Sequence, residues 1–262
     1  MTFLEADKQM ILTIDHGNVR ELRLNRPPAN ALSPELISTL RQAVESAPKE
    51  GARALILSGV PGMFSAGLDI PLLLTLGRHE ISSLWGELYS LLRALAISEI
   101  PLAAALTGHA PAGGTVLGIY CDTRIVAHGD WRIGLSEVQV GLPLPPVILR
   151  ALRRLVGPQQ AERLATRGLL ISPDEAACIG LVDELVPPDQ VVPRALEWCQ
   201  SLLAIPPSAM NFTRREARRD LAAIFTQNLE AEVEVMSSAW WNADTQAALH
   251  AMVDRLRTKK AG

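Results

Sequence analysis

Two glycine-containing segments stand where backbone could hold a developing negative charge. The first is Phe64-Ser65-Ala66-Gly67-Leu68-Asp69-Ile70, which follows an apolar run at 52–57. The second is Gly108-His109-Ala110-Pro111-Ala112-Gly113-Gly114, which follows another at 100–106. Open α/β sheets bind ligands at the carboxyl ends of their strands, where such segments lie. In the second segment Gly113-Gly114 precedes an apolar helical run, so unpaired N–H groups and the positive end of a helix dipole point out of it. Two such loops facing each other form an oxyanion hole. The same glycines also suit tight turns and close packing, and the pattern alone leaves both readings open. Ser65 does not head a hydrolase triad, because no Gly-x-Ser-x-Gly elbow accompanies it. His109 reads as a hydrogen-bonding loop residue rather than a base.

The elements that must position these loops alternate in kind. Met10 to Ile14 and Val19 to Leu24 flank Asp15-His16-Gly17-Asn18 and read as a hairpin. Ser33-Pro34-Glu35 opens a helix, with Ser as N-cap, Pro at the first helical position and Leu36, Ile37, Leu40 and Val44 at helical spacing. Strands are predicted over 52–57, 100–106 and 122–127, with helices over 79–97 and 113–121 between them. Such alternation implies parallel strands joined by right-handed crossovers, the α/β class. Beyond about residue 145 the pattern is mostly helical. Ser172-Pro173-Asp174-Glu175 is a capping box, Val182 to Val186 is one more β run, and 189–203 and 207–258 read as helices. There is no clear sequence repeat.

Composition narrows the function classes. The chain has 262 residues, 48% hydrophobic and 20% charged, enough for a sizeable core. A net charge of −3 argues against nucleic acid as a main partner. Cys121, Cys178 and Cys199 have neither metal-ligand spacing nor an even count, which fits a reducing compartment and no metal site. The first residues, Met1 to Lys8, lack the features of a signal or transit peptide, and no apolar stretch is long enough to span a bilayer, so a cytoplasmic protein without membrane contact is expected. Arg214, Arg215, Arg218 and Arg219 read as a solvated helix face partnered by Glu216 and Asp220, with recognition of an anionic ligand as the alternative. Trp240-Trp241 suit either a subunit contact or the chain's own core.

The two loops, in this order and separation, resemble those of the crotonase family of enoyl-CoA hydratases and isomerases. The similarity also takes in Asn25-Arg26-Pro27-Pro28-Ala29-Asn30-Ala31-Leu32, Ile133-Gly134-Leu135-Ser136-Glu137-Val138-Gln139-Val140-Gly141, Gly157 to Ala161 and Ala176 to Val186, nearly the whole chain. The resemblance implies an α/β crotonase-like ββα spiral. It implies a core over residues 1–200 holding the acyl and CoA site, and a helical region over 201–262 that assembles a homotrimer or hexamer. It implies that the N–H groups of Leu68 and Gly113 hold a thioester oxygen, and that Ala66, Gly67, Leu68, Asp69 and Ile70 line the CoA path mainly through their backbone. Where the family usually has a third glycine, this chain has Ala112, and Gly remains at the donor position.

The acid and base residues divide the family. Its hydratases use two carboxylates to orient and activate water. One corresponds to Glu137; the other position holds Val116, which cannot hold or deprotonate water. A single base is enough to move a double bond, because the C2 proton of a 3-enoyl thioester is acidified by enolate stabilisation, and one carboxylate can return that proton at C4. The resemblance therefore implies isomerisation of 3-enoyl-CoA to trans-2-enoyl-CoA with Glu137 as shuttle, and Val116 and Ser136 beside the acyl chain. Pro111-Ala112-Gly113-Gly114 and Ile133 to Gly141 resemble the mitochondrial-type isomerase branch. No cofactor is implied beyond coenzyme A carried by the substrate. A hydratase, another enolate-forming enzyme such as a decarboxylase, or a non-catalytic acyl-CoA-binding relative are the alternatives. The Pro-rich Leu142-Pro143-Leu144-Pro145-Pro146 departs from the pattern and bears on chain length.

Overall fold

The computed structural model describes residues 9–226 and 228–261. The N-terminal residues on which the targeting expectation rests, Met1 to Lys8, lie outside them. In chain order the elements are β1 (Ile11–His16), β2 (Val19–Leu24), α1 (Pro34–Ser46), β3 (Ala54–Ser58), β4 (Gly62–Met63), α2 (Ile70–Leu73) and α3 (Arg78–Ala96). Next come β5 (Leu102–Leu106), β6 (Gly108–Pro111), α4 (Gly113–Ile119), β7 (Thr123–Ala127), β8 (Ile133–Gly134), a 3-10 turn (Glu137–Val140) and α5 (Pro146–Arg167). The rest are β9 (Leu170–Ile171), α6 (Pro173–Cys178), β10 (Glu184–Val186), α7 (Val191–Leu203), α8 (Pro207–Ala217), α9 (Arg219–Ala223), α10 (Leu229–Trp240) and α11 (Ala243–Ala261).

The larger sheet runs β1-β2-β3-β5-β7-β10, parallel throughout except for the opening hairpin. Every residue of β3, β5 and β7 is buried, as expected of parallel strands covered on both faces. Alternate side chains divide between two cores. Ala54, Ile56, Ala103, Ala105, Ile125 and Ala127 pack on Val191, Ala195 and Cys199 of α7. Leu55, Leu57, Leu102, Ala104 and Val126 face the main core, which α1, α3 and α4 complete. Ser33 caps α1 by accepting the Leu36 N–H at 3.2 Å, and Ser172 caps α6 by accepting the Glu175 N–H at 3.2 Å.

The smaller sheet, β4-β6-β8-β9, carries the organisation. Each of β3, β5 and β7 is followed by one short strand of it, and then by a helix. The chain therefore repeats a strand–strand–helix turn three times, β3-β4-α3, β5-β6-α4 and β7-β8-α5. The segment Gly108 to Pro111, read as loop, is thus a strand. It pairs with β4 (Gly62↔Gly108, Met63↔His109) and with β8 (Ala110↔Ile133, Pro111↔Gly134). A side chain at Gly108 would sit 2.0 Å from the Gly62 carbonyl carbon, so two backbones cross there without room for a Cβ.

The arginine run divides: Arg215 and Arg219 lie on the solvated face, Arg219 beside Glu216, whereas Arg214 and Arg218 turn inward. Arg214 grips Asp122 with both ends of its guanidinium (2.9 and 2.7 Å), and the buried Arg218 adds a bond to Asp122 Oδ1 at 3.0 Å. Arg218 also donates to the carbonyls of Leu95, Ala96 and Tyr120, and Arg214 to that of Ser98. Asp122 accepts the Leu102 N–H as well. This clip fastens α8 and α9 to the end of α3 and the starts of β5 and β7. Removing one partner of a buried ion pair strands the other charges, so Asp122→Ala is expected to lower unfolding free energy by about 3 kcal/mol, checked by denaturant titration. Trp240 is wholly buried in the chain's own core, and Trp241 lies under the Arg78 guanidinium at 4.9 Å.

Candidate active site

Three neighbouring strands of the small sheet deliver three segments from their carboxyl ends. Leu68 comes five residues after β4, Gly113 two after β6 and Glu137 three after β8. Because β4 pairs with β6 and β6 with β8, these segments emerge side by side.

The first loop is held by the segment before α1. Leu32 accepts the Asp69 N–H (3.1 Å) and donates to the Gly67 carbonyl (2.8 Å). That parallel bridge uses the groups on either side of Leu68 and turns the Leu68 N–H the other way, where it meets no acceptor among the described residues. Buried Ser65 bonds the Asn30 carbonyl at 2.8 Å and accepts the Gly67 N–H at 3.2 Å. Buried Asn30 donates to the Phe64 carbonyl at 3.0 Å. Asp69 caps α2 through Leu72 N–H (3.1 Å) and pairs with Arg26 at 2.6 Å.

The second loop closes on the first. Gly67 has φ +86°, and a Cβ there would stand 2.9 Å from the Gly113 nitrogen; a Cβ on Gly113 would stand 3.0 Å from the Gly67 Cα. The Gly113 N–H, at the first turn of α4, also has no acceptor among the described residues. Ala112 precedes it with φ +49°, a left-handed backbone that glycine adopts more readily. Its N–H is anchored on the Gly134 carbonyl at 2.7 Å. Thr115 ties the same corner, donating to the Ala110 carbonyl and accepting the Gly134 N–H at 2.8 Å.

Glu137 opens the 3-10 turn. Left-handed Gly141 ends that turn, and its carbonyl accepts the Thr245 hydroxyl of α11 at 2.8 Å. The Leu142 N–H donates to the Glu137 carbonyl at 3.1 Å. The residue is partly exposed, yet its Oε2 is sealed and has no hydrogen-bond partner. Burial pushes the carboxyl up to about 7, against the smaller opposing effect of its own backbone N–H.

Ala66, Leu68, Ile70, Gly113, Val116, Ser136 and Glu137 line one cavity of about 100 Å³. Glu137 is the only titratable residue on its wall among those described. Asp69 faces instead an adjoining groove of about 660 Å³, with Arg26 and Arg257. Gly67 lies behind, where the loops touch. His109 faces neither space: its Nδ1 accepts the Arg132 N–H at 3.1 Å, and its ring packs edge-on against Trp131. Sequence reasoning missed Trp85, Ile148 and Met252. Trp85 sits on the apolar face of α3 and reads as core. Met252 lies on α11 and lines both cavity and groove, so the 201–262 region supplies part of the site. Two unbonded N–H donors across from an uncompensated carboxylate can stabilise an enolate while one base moves a proton.

Comparison with known proteins places the chain in a family. A family model described as enoyl-CoA hydratase/isomerase matches residues 15–260. The chain is 33% identical over 261 residues to mouse "Enoyl-CoA delta isomerase 1, mitochondrial", covering 97% of this chain and 90% of the mouse protein. It is 34% identical over 193 residues to "Probable enoyl-CoA hydratase EchA17" of Mycobacterium tuberculosis, covering 72% of each. The crystal structure of human mitochondrial delta3-delta2-enoyl-CoA isomerase superposes with a TM-score of 0.91 at 32% identity, covering 96% of this chain and 100% of the human one.

Proposed function

The chain belongs to the enoyl-CoA hydratase/isomerase family, and within it we propose that it is a Δ3,Δ2-enoyl-CoA isomerase with Glu137 as its single proton shuttle. The observation that carries this reading is the cavity wall, on which one carboxylate stands among apolar groups and buried Val116 occupies the place of a second. Glu137 takes a proton from C2 of the 3-enoyl thioester. The C2–H electron pair enters the thioester to give a dienolate, whose oxygen accepts the Leu68 and Gly113 N–H groups. The Glu137 carboxylic acid then returns the proton at C4, the carbonyl re-forms and the double bond lies between C2 and C3. No electron is lost and no water added, so the step calls for no redox group, and coenzyme A enters as part of the substrate. The groove beside Asp69, with Arg26, Arg257, Ala66 and Leu68, suits its pantetheine and phosphates.

Assembly as a homotrimer or hexamer belongs to this reading, supported by exposed Phe212 and Val235 on α8 and α10 and exposed Ile205 in the turn before α8. So does the cytoplasmic setting, which rests on the sequence alone, whereas the mouse and human relatives carry "mitochondrial" in their names.

Paired assays on 3-hexenoyl-CoA and trans-2-hexenoyl-CoA test the reading. The 3-enoyl substrate is expected to gain conjugated-thioester absorbance without gaining mass, and the 2-enoyl substrate to take up no water. Ready hydration would replace the proposal with a hydratase. Because the base works ionised and its carboxyl titrates near 7, kcat/KM is expected to rise tenfold per pH unit through the acid range and level off above about pH 7. A profile flat down to pH 5 would remove Glu137 from the role.

A further inference from the structure

On the acyl-thioester reading above, the geometry points to a limit on the acyl chain: this enzyme takes short-chain thioesters of about four to six carbons, and the wall of Trp85, Leu88, Leu142 and Ile148 sets that limit. An apolar cavity of roughly 150 Å³ accommodates benzene, six carbons. On that scale the cavity of about 100 Å³ encloses about four carbons, or about six where the thioester end lies in the opening toward the groove, while a twelve-carbon chain needs roughly three times the volume. Ala66, Leu68 and Met252 border both cavity and groove, which marks the side where the thioester and its carrier enter. Trp85, Leu88, Leu142 and Ile148 border the cavity alone.

This wall does not yield easily. All four side chains are buried, Leu88 at 4% exposure and Trp85, Leu142 and Ile148 at 2%. Trp85 and Leu88 sit one turn apart within the 19-residue α3, whose other apolar positions are packed in the main core. Leu142 is bonded through its N–H to the Glu137 carbonyl, so moving it displaces the base. The Pro145 carbonyl accepts the N–H groups of Ile148 and Leu149 (both 3.0 Å), fixing the first turn of α5 against the cavity. The Pro-rich stretch that departs from the family pattern is thus part of the wall.

The test is binding of saturated butyryl-, hexanoyl-, octanoyl- and dodecanoyl-CoA, which cannot turn over, measured by calorimetry on the full chain and on Leu142→Ala and Ile148→Ala. Circular dichroism establishes that each variant is folded, and either one suffices. Wild-type affinity is expected to peak at four to six carbons and to fall at least tenfold by dodecanoyl-CoA. A wall variant is expected to raise the dodecanoyl-to-hexanoyl affinity ratio at least tenfold. Dodecanoyl-CoA bound by wild type as tightly as hexanoyl-CoA, or a ratio unmoved in folded variants, overturns the length limit. If 3-hexenoyl-CoA is still isomerised in that case, the isomerase reading survives it. Failure to bind at any length removes both.

Discussion

Glu137→Gln is expected to lower isomerisation of a 3-enoyl thioester by about 10⁴-fold and, above pH 7, to make the folded protein harder to unfold. The first effect sits at the upper end of what general base catalysis contributes, because among the described residues no other titratable side chain lines the cavity to take over. Gln keeps the shape and a polar tip but accepts no proton from C2. The second effect follows from the same burial. The folded carboxyl titrates near 7 and the unfolded one near 4.5, so between those values the folded state holds the extra proton. Stability therefore falls as pH rises from 4.5 through 7 and levels off above it, by up to about 3 kcal/mol. A glutamine carries no such penalty. The variant should match wild type in melting temperature at pH 4, below the unfolded value, and exceed it by several degrees at pH 8.5. Equal melting temperatures at both pH values would mean that the carboxylate is solvated in the folded protein. Retained turnover would mean that another group moves the proton.

The fold and the cavity around Glu137 were only partly legible in sequence. The strands β3, β5 and β7 are readable as continuous apolar runs, and Ser33 and Ser172 as helix caps, because burial on both faces and capping both act on neighbouring residues. The small sheet was not. β4 and β8 are two residues each and β6 contains glycine, histidine and proline, so none has a period to detect. Their conformation is imposed by pairing across the turns of the spiral. The repeat is one of hydrogen bonding, and no side-chain pattern records it. Arg214 and Arg218 were misread for a related reason: their partner, Asp122, lies more than 90 residues away, whereas Glu216 and Asp220 are the near acids that sequence offers. Met252 reaches the cavity from the far end of the chain by tertiary packing alone. Glu137 stood out through its resemblance to a family pattern; its sealed oxygen and raised titration are properties of the folded wall around it.

Gly67→Ala is expected to lower kcat by about 10³-fold while leaving the protein folded. The loss of one oxyanion-hole donor typically costs about 10²–10³-fold, and this substitution disturbs both. A methyl group at residue 67 would stand 2.9 Å from the Gly113 nitrogen and 2.9 Å from the Ala112 Cβ, so the loops must separate. Neither neighbour can swing aside: Ala112 is anchored on Gly134, and Gly113 heads α4. The shift acts on Leu68 too, because the peptide that carries its N–H belongs to residue 67. A left-handed φ of +86° adds strain of about 1–2 kcal/mol for any residue with a Cβ. Gly17→Ala separates the two causes. Gly17 has φ +66° in the opening hairpin, with nothing within 4 Å of an added Cβ, so it carries the strain without the collision. Gly17→Ala should lose stability by about 1 kcal/mol and keep full turnover, whereas Gly67→Ala should lose stability and turnover together. Equal turnover in the two variants would mean that the contact between the loops does not hold the donors in place.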